Sequence, residues 1–98
     1  MLQIIKRQII IPIEVTISKL IESCREEQDI DKKVEILYRI NSMLPKVHRL
    51  KIPSLLGSLI VITDQINVGF KTAVDKQTID GALLISSEVL WTLKITAS

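Results

Sequence analysis

His48 and Cys24 are the only histidine and the only cysteine in the chain. They are therefore its only candidates for imidazole or thiol chemistry. A cysteine nucleophile needs a base within hydrogen-bond reach, yet these two residues fall on different predicted elements. His48 lies in "LPKVHRLKIP", residues 44–53, among Lys46, Arg49 and Lys51. Those cations repel a metal ion. A lone thiol supplies neither a disulfide nor a zinc-ligand set. With Leu20 and Ile21 nearby, Cys24 reads as a buried small hydrophobe.

Paired carboxylates are the other chemistry-bearing type. Glu26 with Glu27 and Asp29 with Asp31 cluster in "EEQDIDKK". General acid/base work needs two environments that push the pKa values apart. This stretch reads instead as a solvated turn and a helix cap. Gly57, Gly69 and Gly81 are isolated, so no phosphate-cradling loop is formed. The inventory points away from an enzyme and implies no cofactor and no metal.

Binding chemistry is better represented. The basic residues fall into two groups, Lys6 with Arg7 and Lys46, His48, Arg49 and Lys51. Modules that read single-stranded nucleic acid add stacking aromatics, and none interleaves here. The formal net charge of +2 is weak for a phosphate-binding domain. Trp91, the only tryptophan, falls off the apolar stripe of its predicted helix, and tryptophan is enriched at interface hot spots. Ile9, Ile10 and Ile11 form an uninterrupted apolar run. "VLWTLK", residues 89–94, resembles the closing helix of the small helical domains of transcription-elongation factors. That likeness covers a handful of residues without a defining motif, and no activity or partner is carried over from it.

These residues must be positioned by one domain, since the chain has 98 residues. Apolar residues make up 47% and charged residues 24%, an ordinary globular balance. Ile dominates, Ala occurs only at 73, 82 and 97, and the aromatics are Tyr38, Phe70 and Trp91. The core is expected to be branched-aliphatic. The longest uncharged run, Ile52 to Thr63, is 12 residues, against roughly 20 for a membrane span. Pro12 and Glu14 interrupt the candidate apolar region of a signal peptide. A cytoplasmic, reducing setting without membrane insertion is the expectation.

Residues 1–11 are predicted as an extended N-terminal arm. They are β-branched, and Pro12 disfavours helical geometry at Ile11. A helical domain then occupies 12–98. The first helix runs from 12 to 27, with Pro12 in its first turn and Ile13, Ile17, Leu20, Ile21 and Cys24 on one stripe. Asp29 or Asp31 caps a second helix bearing Val34, Leu37, Ile40 and Leu44, with Ile36, Met43 and Val47 widening the face. Pro45 should end or bend it. A third helix opens at Pro53 and carries Leu55, Leu56, Leu59, Ile62, Ile66 and Phe70. Ile60 and Val61 thicken its stripe almost all round, so it is expected to be the most buried. A buried strand at "SLIVIT" is the rival. Asp75 or Thr78 caps the last helix, with Ile79, Ala82, Leu83, Ser86, Val89, Leu90 and Leu93 facing inward.

The fold class is all-α, a small antiparallel four-helix bundle with an extended N-terminal arm. Between Pro45 and Pro53 the spacing predicts a short amphipathic turn, with Val47 and Leu50 buried and the charges in water. The surplus of apolar faces points to protein–protein association, as a homo-oligomer or a small subunit of an assembly. Ile9, Ile10, Ile11, Lys46, His48, Arg49, Lys51 and Trp91 are the candidate partner contacts. A small nucleic-acid-binding regulator using the arm and the 46–51 edge is the alternative.

Overall fold

The computed structural model describes residues 2–50, 52, 56–64, 66 and 75–97, with helices alone among them. Three helices are long: α1 (Leu2–Glu26), α2 (Ile30–His48) and α4 (Lys76–Ala97). The fourth, α3 (Leu56–Asp64), is short. The rival strand at 58–63 is thus replaced by helix.

Residues 2–11 are not an extended arm. They are the first half of α1, which passes through Pro12 without stopping. A proline inside a helix costs about 3 kcal/mol or more through its lost N–H and its ring clash. Burial offsets that cost. Ile10, Ile13, Ile17, Ile21 and Cys24 form one continuous buried stripe, in which Ile10 lies three residues before Ile13 and on the same face. The Pro12 side chain itself is exposed, and its carbonyl accepts from Thr16 Oγ1 at 2.9 Å. The domain boundary expected at residue 12 therefore falls in mid-helix.

A three-residue connection, 27–29, turns α1 into α2. Glu27 Oε1 accepts from the Gln28 and Asp29 N–H groups at 3.1 and 3.2 Å. Asp29 is the N-cap of α2 and accepts from the Asp31 N–H at 3.1 Å. The acidic stretch is thus turn and cap, as its spacing predicts. Pro45 does not end α2, which continues to His48. The Arg49 and Leu50 N–H groups close the end on the Pro45 and Val47 carbonyls. Asp75 begins α4, its Oδ1 accepting from the Thr78 N–H at 2.7 Å.

The helices α1 and α2 form an antiparallel hairpin. α4 lies antiparallel on another side of α1, since Arg25 meets Ser87 at 3.0 Å and Ser18 shares a groove with Lys94. α2 and α4 thus run in the same direction, and α3 lies against both. The core is aliphatic: Leu37, Ile40, Leu44 and Val47 of α2 and Ile79, Ala82, Leu83, Val89 and Leu93 of α4 close on the α1 stripe. Buried Ser86 is satisfied by donating to the Ala82 carbonyl at 2.8 Å. The molecule measures 46 × 24 × 17 Å. Each long helix keeps a row of exposed positions on the side away from this core.

Among its described side chains, α3 departs from the expected deep burial. Gly57, Ile60, Val61 and Asp64 are exposed and Thr63 is half-buried. Spaced at i, i+3, i+4 and i+7, the four exposed positions form one outward face.

Candidate protein-interaction site

The chemistry-bearing residues are largely committed to the fold. Cys24 is fully buried, and burial pushes its thiol pKa up. Lys33 opposes that rise and Asp80 adds to it. Lys33 Nζ donates to the Cys24 carbonyl at 2.6 Å, a cation closing the C-terminal turn of α1. A cleft of about 480 Å³ lies at this end, lined by Arg25, Glu27, Lys33, Lys76 and Asp80 among others. Its charges are mixed, and Glu27 and Lys33 already hold the turn and the helix end. No group of three His, Cys, Asp or Glu that could hold a metal ion occurs among the described residues.

The corner lies at the other end. Val47 is buried and Leu50 half-buried, while Lys46, His48 and Arg49 are exposed. The amphipathic pattern expected there is present, as the last turn of α2 rather than a separate turn. Leu50 is less covered than its spacing implied. His48 and Arg49 line an open groove of about 550 Å³ with Asn41, Pro45, Ile60 and Asp64, formed between α2 and α3. Lys51 lies outside the described residues.

The α1–α2 hairpin sets residues 9–11 level with residues 45–47, so two of the expected contact groups share one end. Their exposures differ. Ile9 and Ile11 are exposed, whereas Ile10 is 1% exposed and part of the core. Ile10 is therefore not a surface contact. Successive helical residues rotate by about 100°, so three neighbours cannot share one face.

Trp91 is 65% exposed and does not stand alone. Leu84 is 63% and Ile95 54% exposed. At about 100° per residue the three lie within roughly 40° of one another, opposite buried Leu93. With Glu88 between them they make a ridge of about 16 Å along α4. Leu84 and Ile95 were not singled out by sequence reasoning, although their signal was present. They are large aliphatics off the inward stripe, spaced at i, i+7 and i+11 with Trp91.

No family model, no curated protein and no solved structure matches the chain. No helix among the described residues is long and apolar enough to cross a membrane.

Proposed function

We propose that this chain is a non-enzymatic helical module that works by protein–protein association, as a homo-oligomer or a small subunit of a larger assembly. The observation behind this reading is the outer ridge of α4, where Leu84, Trp91 and Ile95 are each more than half exposed. Exposed apolar residues scattered singly need no explanation, but three large ones along one edge of a helix, interrupted by Glu88, favour an interaction surface. Ile60 and Val61 on α3 add a second, smaller patch. The matching fold reading is an up-and-down four-helix bundle with a short third helix. α1 and α3 each sit between α2 and α4 in that arrangement. A reducing, cytoplasmic setting suits a lone thiol that is buried.

Sedimentation equilibrium at micromolar concentration tests the reading. A species heavier than the 11.1 kDa chain, or a protein captured specifically by it, is the expected result. A clean monomer without a partner removes it. The nucleic-acid alternative draws on exposed Lys46, His48 and Arg49 at the end shared with the start of α1. Asp64 in the same groove weighs against it by repelling phosphate. A steeply salt-dependent affinity for DNA or RNA, lost when Lys46 and Arg49 become Gln, would install that alternative.

A further inference from the structure

We propose that the groove between α2 and α3 binds a short apolar peptide with both ends free, its carboxylate on Arg49 and His48 and its ammonium on Asp64. This goes beyond the association reading and shares with it only the up-and-down course of α3. The groove holds about 550 Å³, within the range of small-ligand sites. Leu44, Pro45 and Ile60 give it an apolar floor. Ile60 is 64% exposed, so that floor is open to a ligand rather than filled by the fold. Among the described residues, its ionic lining groups are His48, Arg49 and Asp64.

Those three side chains are uncommitted. Among the described residues none of them makes an ion pair or a side-chain hydrogen bond. The end of α2 is closed by the backbone N–H groups of Arg49 and Leu50, which leaves the Arg49 guanidinium and the His48 ring free of capping. A guanidinium can hold a carboxylate through two parallel N–H bonds, and an imidazole keeps a ring N–H donor whether charged or neutral. Asp64 shares their groove without pairing to them, which fits a place at its other end. The chain leaves α2 at His48 and enters α3 at Leu56. With α3 returning along α2, equal rise per residue sets Ile60 level with Leu44, and Asp64 level with Ile40 and Asn41. Pro45 has no N–H to give the Asn41 carbonyl, so a second acceptor stands at the Asp64 end.

Spacing and charge select the occupant. His48 lies seven residues beyond Asn41, roughly 10 Å along the helix. An extended chain spans about 3.3–3.6 Å per residue, so three residues set an amine and a carboxylate about that far apart. A nucleic acid brings an anion at every step, and one of them would meet Asp64. A fatty carboxylate would leave Asp64 without a partner, and a segment inside a longer chain brings neither charged end. A free tripeptide answers the cations, the apolar floor and the carboxylate together. Exposed ion pairs are weak, so a dissociation constant on the order of 1 mM is expected.

The test titrates the isotope-labelled chain with alanyl-leucyl-alanine at low salt and follows its amide resonances. Shifts should saturate and concentrate at residues 41–49 and 60–64. The N-acetylated peptide and the C-terminal amide should each bind roughly three- to fivefold more weakly, the size of one exposed ion pair. These two comparisons need no variant. Asp64→Asn should then abolish the preference for a free amine alone, and Arg49→Gln the preference for a free carboxylate alone. Both positions are exposed, and circular dichroism verifies that the helices survive. No saturable shift at about 10 mM peptide overturns the proposal. So do blocked peptides that bind as well as the free one, which would make the groove a contact for a chain interior. If both variants act on the same end of the peptide, the charges sit together and the proposal fails. Sedimentation of the same samples reads association separately: a monomer that binds the peptide removes only the association reading, and an oligomer that ignores it removes only this site.

Discussion

The first half of α1 and the short helix α3 are built from the same material and end in different places. Both are runs rich in branched aliphatics, the first interrupted by Lys6 and Arg7 and the second uncharged until Asp64. The α1 segment, residues 2–11, carries an unfavourable signal before Pro12 and nevertheless forms a helix with Ile10 at 1% exposure. The α3 segment, Leu56–Asp64, has strong apolar content almost all round and yet holds Ile60 at 64% and Val61 at 46% exposure. Apolar content therefore does not assign burial. What separates the two is cover: the α1 stripe from Ile10 to Cys24 belongs to one core cluster with α2 and α4. α1 runs between α2 and α4 and can bury its stripe turn after turn. α3 is only nine residues long and lies on one side of α2 and α4, which leaves an outward face uncovered.

This comparison breaks if the two isoleucines respond alike. Ile10→Ala removes a fully enclosed side chain next to the helix-interior proline, and is expected to cost about 2–5 kcal/mol. Ile60→Ala removes an exposed one and should stay within roughly 0.5 kcal/mol. Denaturant melts of the two variants read both values. A large loss for Ile60→Ala would mean that α3 is packed deeply after all. A negligible loss for Ile10→Ala would mean that the first turns of α1 contribute nothing to the core and that an arm is the better description.

Legibility followed the same divide. The buried stripes of α2 and α4 were readable residue by residue, because each is a regular apolar row preceded by a capping aspartate. Leu37, Ile40, Leu44 and Val47, and Ile79, Ala82, Leu83 and Val89, all lie where the spacing puts them. Residues 2–11 read as extended because the local rule before proline opposes the i, i+3, i+7 row of Ile10, Ile13 and Ile17, and in the fold the row wins. At the candidate surface, Trp91 was visible as an aromatic off the inward stripe. Leu84 and Ile95 do not stand out in the sequence, because a second apolar row on one helix reads as extra core until the neighbours of that helix are known. The exposure of Lys46, His48 and Arg49 is legible from the amphipathic corner, and the groove that His48 and Arg49 border with Asp64 is not, since it depends on how α3 is laid across.

A middle-sized effect sharpens the comparison at that corner, where one turn holds both a partly covered apolar residue and exposed charges. Leu50 is half-buried, so Leu50→Ala should cost roughly 1–2 kcal/mol, about half the loss at a fully enclosed leucine. Replacing Lys46 and Arg49 together by Gln should leave the melting temperature nearly unchanged, because exposed charges contribute little. Thermal melts in low and moderate salt separate the two contributions. If the charge change is the larger one, the corner is held by electrostatics rather than by packing.

The smallest expected effect concerns how helices begin. α1 has no acidic residue in its first turn and depends on burial, whereas α4 is started by Asp75. The Thr78 backbone N–H holds the Asp75 carboxyl below the usual carboxylate range, with its hydroxyl and further backbone N–H groups adding to this. A carboxyl lowered on folding contributes stability that is fully present above its unfolded pKa. That contribution is lost as pH falls through the folded value. Asp75→Asn keeps a side-chain acceptor at the cap and removes only the charge. The variant should therefore melt slightly below the wild type at neutral pH, and the gap should close as the pH drops below the carboxylate range. Paired melts across that range measure the difference directly. A gap that stays constant to low pH would assign the role of Asp75 to its hydrogen bond alone. A large one would show that α4, like a helix without a neighbour, stands on its cap as much as on its buried face.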